Sequence, residues 1–186
     1  MSTEREEIAA AVWARTLATY SSEGVAAACI RFQDRHGVGV SALLALMALA
    51  VLGYPVADAR AMGRVLRRAE DWQRRVIEPL RGARRALPGA ASNGIEEAAK
   101  GVRRTLLVQE IETERLQQQL LVTDVVNDMT RVAEASTDGG RMSWMDSVAR
   151  LYLARFCEVW SNDEEAALQL LLNAMAGDGA GPPSPH

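Results

Sequence analysis

Two carboxylates and two guanidiniums are the side chains whose types and spacing could do chemistry. Glu110 and Glu114 are four residues apart, as are Arg81 and Arg85, so on helices each pair shares one face. Packed together, the two faces form a cluster in which the arginines hold an anionic group and a carboxylate is tuned for acid/base work. The same residues would serve as an interhelical salt-bridge network that fixes helix register. Spacing alone favours that structural role, because ion-pair networks perturb carboxylates without doing chemistry.

Other chemistries have weaker footing. A di-metal carboxylate site in a helical bundle needs Glu-x-x-His ligands, and neither histidine, His36 or His186, follows a glutamate by three. No metal and no cofactor is therefore expected. Cys29 and Cys157 form no CxxC arrangement and sit in apolar helical patterns, which suits buried free thiols. Cys29 and His36 lie about 10 Å apart along a helix, too far for a nucleophile and its base. Nine arginines fall between Arg60 and Arg85, but Asp58, Glu70, Asp71 and Glu78 offset them. With a net charge of -3 and a pI near 5.5, the chain offers nucleic acid no general attraction.

The element that must position these groups is Ser41–Leu52, SALLALMALAVL, which carries no charge and is apolar on every side of a helix. Such a helix must be buried. It covers about 18 Å, short of the roughly 30 Å of a bilayer's hydrocarbon core, so it reads as a core helix and not a span. Ser41 is its candidate cap, and Gly53 with Pro55 ends it. Before it, a Thr3/Glu6 capping box opens a helix to about Tyr20. A second helix, capped by Ser21 or Ser22, turns Val25, Ala28, Cys29 and Phe32 inward.

After it, Asp58 caps a long arginine-rich helix that Pro79 should kink or restart, and Pro88 and Gly89 open a loop through Gly94. The longest helix runs from Ile95 to about Val132. TDGG over 137–140 breaks the pattern, and a Ser143/Asp146 box opens a helix reaching Trp160. A Ser161/Glu164 box opens the last helix, which stops at Gly177. No strand-like alternation or internal repeat occurs.

The expected fold is all-α, a compact bundle of about seven or eight helices around a central apolar helix. Residues 1–176 make one domain, and 177–186, rich in Gly and Pro, form a disordered tail. At 48% hydrophobic and 24% charged, the composition is that of a self-supporting globular chain. The acidic start, MSTEREEIAAAV, is unlike a signal peptide, and a cytoplasmic protein is expected.

Three runs also carry a resemblance: GVAAACIRFQDRHGVGVSALLALMALAVLGY, DWQRRVIEPLRGARRAL and QEIETERLQQQLL. Together, over about Trp13 to Leu121, they resemble a small all-helical family of proteobacterial proteins, domain of unknown function 2390. The family pattern falls on Cys29, Gln33, Asp34, Arg81, Arg85, Glu110, Glu114, Arg115 and Gln118, and departs at Met47, where an aromatic is expected. The resemblance implies a fold and no activity. It adds Arg115 and Gln118 to Arg81 and Arg85 as candidate ligand-binding residues, beside Glu110 and Glu114 as candidate catalytic ones.

The first functional expectation is a non-enzymatic protein-binding or adaptor module, with a protein partner or self-association. The alternative is a small enzyme or anion-binding protein, with Arg81 and Arg85 on a small anionic ligand and Glu110 or Glu114 as base. The first needs an exposed apolar patch, and the second needs a concave pocket on which the charges converge.

Overall fold

The computed structural model describes residues 2–90, 94–129, 132 and 138–177. Its helices are α1 (Ser2–Tyr20), α2 (Val25–His36), α3 (Val40–Val51), α4 (Ala59–Trp72), α5 (Glu78–Ala90), α6 (Glu96–Asp128), α7 (Asp138–Leu153) and α8 (Asn162–Ala176). A π-helical turn, Gln73–Ile77, joins α4 to α5, so 59–90 is one continuous rod and the described residues form seven rods and no strand. None of these helices is long and apolar enough to cross a membrane. The tail expected over 177–186 lies, beyond Gly177, outside the described residues.

The all-α expectation holds, with α3 at the centre. Every residue from Ala42 to Ala50 is buried. Helix α7 lies along α3, α1 and α6 flank it, and α2 and α8 close the remaining sides. The second helix also behaves as its pattern requires: Val25, Ala28, Cys29 and Phe32 are all buried. It ends on Gly37 at φ 67°, where the Gly37 amide bonds back to Gln33 O and only glycine is at ease.

Several boundaries differ from the sequence expectation. Helix α3 starts at Val40, and its cap is Gly39, whose carbonyl accepts a bond from Tyr152 Oη at 3.1 Å. A Cβ at position 39 would stand 2.9 Å from that oxygen, so the close approach of α7 selects glycine. Thr3 lies inside the first turn of α1, and Ser21 and Ser22 bond back to Leu17 O and Ala18 O instead of capping α2. Pro79 neither breaks nor restarts its helix: the preceding π-turn, in which the Glu78 amide reaches Gln73 O, widens the helix just before the residue that lacks a donor. Pro88 lies within α5, two residues from its end. Asp138, Gly139 and Gly140 belong to the first turn of α7 rather than preceding it, and α7 stops at Leu153 rather than reaching Trp160.

The Ser161/Glu164 capping box is present, and its glutamate does more than cap. Glu164 is buried, and its Oε1 meets His36 Nε2 at 3.1 Å and Arg35 Nη1 at 3.0 Å, joining the basic end of α2 to the acidic start of α8. The Ser161 hydroxyl, and then His36, hold its carboxyl down to about 2.

Two outcomes follow for stability. Leu46→Ala, at the centre of α3, should cost about 3 kcal/mol in urea denaturation; a loss below about 1 kcal/mol would mean that α3 is not enclosed. Because the folded state favours the Glu164 carboxylate, its stabilisation is full above the ordinary range and is lost as pH falls from about 4.5 toward 2. Glu164→Gln should therefore melt below the wild type at neutral pH, with the gap closing through that window. A gap that stays constant with pH would show that the clamp is not ionic.

Candidate functional site

Helix α6 is 33 residues long and α3 is 12, so α6 overshoots the core. Its core-packing residues, Leu121, Val122 and Val125, fall in the C-terminal half. Upstream, α6 pairs with α5. A groove of about 440 Å³ opens there between α1, α2, α5 and α6, over the N-terminal end of α3. Trp13, Leu17 and Ile30 wall one side and Leu107 and Ile111 the other, while Ser41 and Leu44 lie at the α3 end.

The charged pairs meet on one wall of this groove. Arg81 Nε donates to Glu110 Oε1 at 2.7 Å, and Arg81 Nη2 to Glu114 Oε1 at 2.8 Å. Arg84 Nε donates to Glu110 Oε2 at 2.6 Å, and its Nη2 reaches Oε1 at 3.3 Å. Both oxygens of Glu110 are thus occupied. Glu114 Oε2 takes no bond from the described residues.

The two carboxylates are driven apart electrostatically. Burial pushes Glu110 up, but the bonds from Arg84 and Arg81 outweigh it and leave its pKa below the ordinary value. Burial raises Glu114, the charge of Glu110 adds to that, and Arg81 only partly opposes it. The site thus favours the anionic form of Glu110 and disfavours that of Glu114. Burial, chiefly, also raises Tyr20, with Cys29 and Glu114 contributing. Cys29 lines the groove, but burial pushes its thiol up to about 12, so it carries no nucleophilic thiolate.

The sequence candidates divide as follows. Arg81, Glu110 and Glu114 come together. Gln118 lies at the α3 end of the groove, its Nε2 donating to Ser41 O at 3.1 Å and its Oε1 accepting from Thr16 Oγ1 at 3.4 Å. Arg85 lines the rim, exposed, with Asp34 3.6 Å away. Arg115 points elsewhere, beside Glu112 at 3.9 Å. The residue that sequence reasoning missed is Arg84, which takes the place expected for Arg85. An Arg81/Arg84 spacing of i, i+3 was as much a same-face signal as i, i+4. Among the described residues, no three His, Cys, Asp or Glu side chains gather to hold a metal.

Fold and groove together define an all-α protein with a half-apolar, half-charged groove between four helices. The chain belongs to the family described as protein of unknown function (DUF2390), whose sequence model matches residues 11–121. No curated protein and no solved structure matches it. Every residue lining the groove, from Trp13 to Gln118, lies within the matched span, while α7 and α8 lie outside it.

The unequal satisfaction of the two glutamates separates their roles. Glu110→Gln, which strands two guanidiniums, should lower stability by about 3 kcal/mol. Glu114→Gln removes a charge that the site already disfavours and should cost less than about 1 kcal/mol. Chemical denaturation of both variants checks this, and equal losses would put the two carboxylates in one structural network.

Proposed function

We propose that the protein binds a small amphiphilic molecule in the groove between α1, α2, α5 and α6. The observation that carries this reading is the make-up of the groove: about 440 Å³, apolar along both walls, with Arg81, Arg84, Glu110 and Glu114 on one side. That volume lies in the range of small-molecule sites, and apolar walls with a few convergent polar groups are their usual make-up. The apolar part of the ligand lies against Leu17, Ile30, Leu107 and Ile111. A polar group of the ligand meets the charged side of the groove, where Arg81 and Arg84 lie.

A second reading, the adaptor expected from sequence, draws support from the rim. Leu17, Tyr20, Ile30, Leu107 and Ile111 are each between 42% and 51% exposed, which is the kind of surface a partner's apolar side chains cover. Native mass spectrometry of protein purified gently from its own host separates the two, since one retains a small mass per chain and the other a second polypeptide.

Anilinonaphthalene sulfonate, an apolar dye with an anionic group, tests the groove directly. It should bind saturably, one per chain, and Ile30→Gln, which removes apolar surface without adding charge, should weaken it about tenfold, about 1.4 kcal/mol. Ile30 is half exposed, so the variant should keep its helical circular dichroism. Dye binding indifferent to Ile30→Gln would place the apolar site elsewhere.

A further inference from the structure

One face of α6 is sorted by charge along its length. Lys100, Arg103, Arg104, Leu107, Ile111, Glu114 and Gln118 recur at three-, four- and seven-residue intervals, so they lie on one side of the helix. From Lys100 to Gln118 this face extends about 27 Å. Its middle and C-terminal part line the groove. Its first two turns line a second hollow of about 270 Å³, formed by Arg84, Glu97, Lys100, Arg103, Arg104 and Leu107. The two hollows share Arg84 and Leu107 and therefore lie side by side along this face.

The second hollow is a cationic shelf. Four cations line it against one carboxylate, Glu97, which is already 3.0 Å from Lys100. Arg103 and Arg104 are exposed and form no ion pair or hydrogen bond with the described residues. Arg84 gives Nε and Nη2 to Glu110 and keeps Nη1. This excess of positive charge stands on a chain whose net charge is -3, so no general basicity explains it.

We propose that the shelf is the head-group site of the groove and that the ligand is an amphiphile bearing a phosphate-class dianion. The inference rests on the groove-binding reading above. A single carboxylate would use one guanidinium and leave the other cations facing each other. A phosphate monoester brings close to two negative charges and three acceptor oxygens, which suits two free guanidinium forks and an ammonium on adjacent turns. The apolar body then runs along Leu107 and Ile111 into the groove.

Isothermal titration calorimetry with decyl phosphate, decanol and inorganic phosphate, each below any aggregation, tests it on the wild type and on Arg103→Ala/Arg104→Ala. Both arginines are exposed, so the double variant is expected to fold. Decyl phosphate should bind about tenfold or more tighter than decanol. The double variant should lose that advantage while decanol binding is unchanged. Salt near 1 M, where the Debye length is about 3 Å, should shrink it too.

Decyl phosphate and decanol binding alike, or a double variant that keeps the difference, overturns the head-group site and leaves the groove standing. Inorganic phosphate binding as tightly as decyl phosphate overturns the link between shelf and groove, since the ligand would then be a free phosphate compound. If neither decyl compound binds, the groove reading itself fails and this proposal with it.

Discussion

From Ala42 to Ala50 water touches no face of α3, so other helices must pack on every side of it. That requirement recruits α1, α2, α6, α7 and α8 as a shell. It also limits how far the core extends, because twelve helical residues span only about 18 Å. Helix α6, at about 50 Å, must run past the end of what it packs on. There α5 accompanies it, and the groove opens toward α1 and α2. The groove is thus a geometric consequence of a short central helix inside longer neighbours.

Where the apolar core stops, polar contacts hold α6 in place. Trp72 Nε1 donates to Thr113 O at 3.0 Å, and Gln117 Nε2 donates to Ala69 O at 2.9 Å, next to the π-turn. Further out, Arg81 and Arg84 grip Glu110. Such contacts depend on register: a slip by one residue would leave a buried carboxylate and two guanidiniums unmatched. The π-turn belongs to the same arrangement, since it lets α4 and α5 remain one rod past Pro79 and so carries Arg81 and Arg84 to the level of Glu110.

Sequence legibility followed how local each signal was. The enclosed α3, the inward stripe of α2 and the Ser161/Glu164 box each depend on residues within one or two turns, and each is present in the structure. Ser41 lost its expected capping role because Tyr152, more than a hundred positions away, packs against Gly39. On α6, Val102, Val108 and Leu116 fit a helical apolar pattern yet remain exposed, because the core they would pack on ends before it reaches them or lies on another face. Choosing Arg85 over Arg84 had the same origin. Both share a face with Arg81, and only the crossing of α5 over α6 decides which one reaches Glu110.

Satisfaction of hydrogen-bonding capacity then sorts the charges of the groove better than their residue types do. Glu110 has both oxygens filled, and removing it would leave buried charges alone, which are the marks of a group that holds structure. Glu114 has an oxygen to spare and a pKa raised chiefly by burial, a combination that structure does not need. Arg103 and Arg104 are likewise unmatched, and they continue the same helical face outward. The spare acceptor lies in the groove and the spare donors line the hollow beside it, on one face of α6. An apolar stretch, Leu107 and Ile111, flanked on the same face by a spare acceptor and spare donors is what the proposed amphiphile would span.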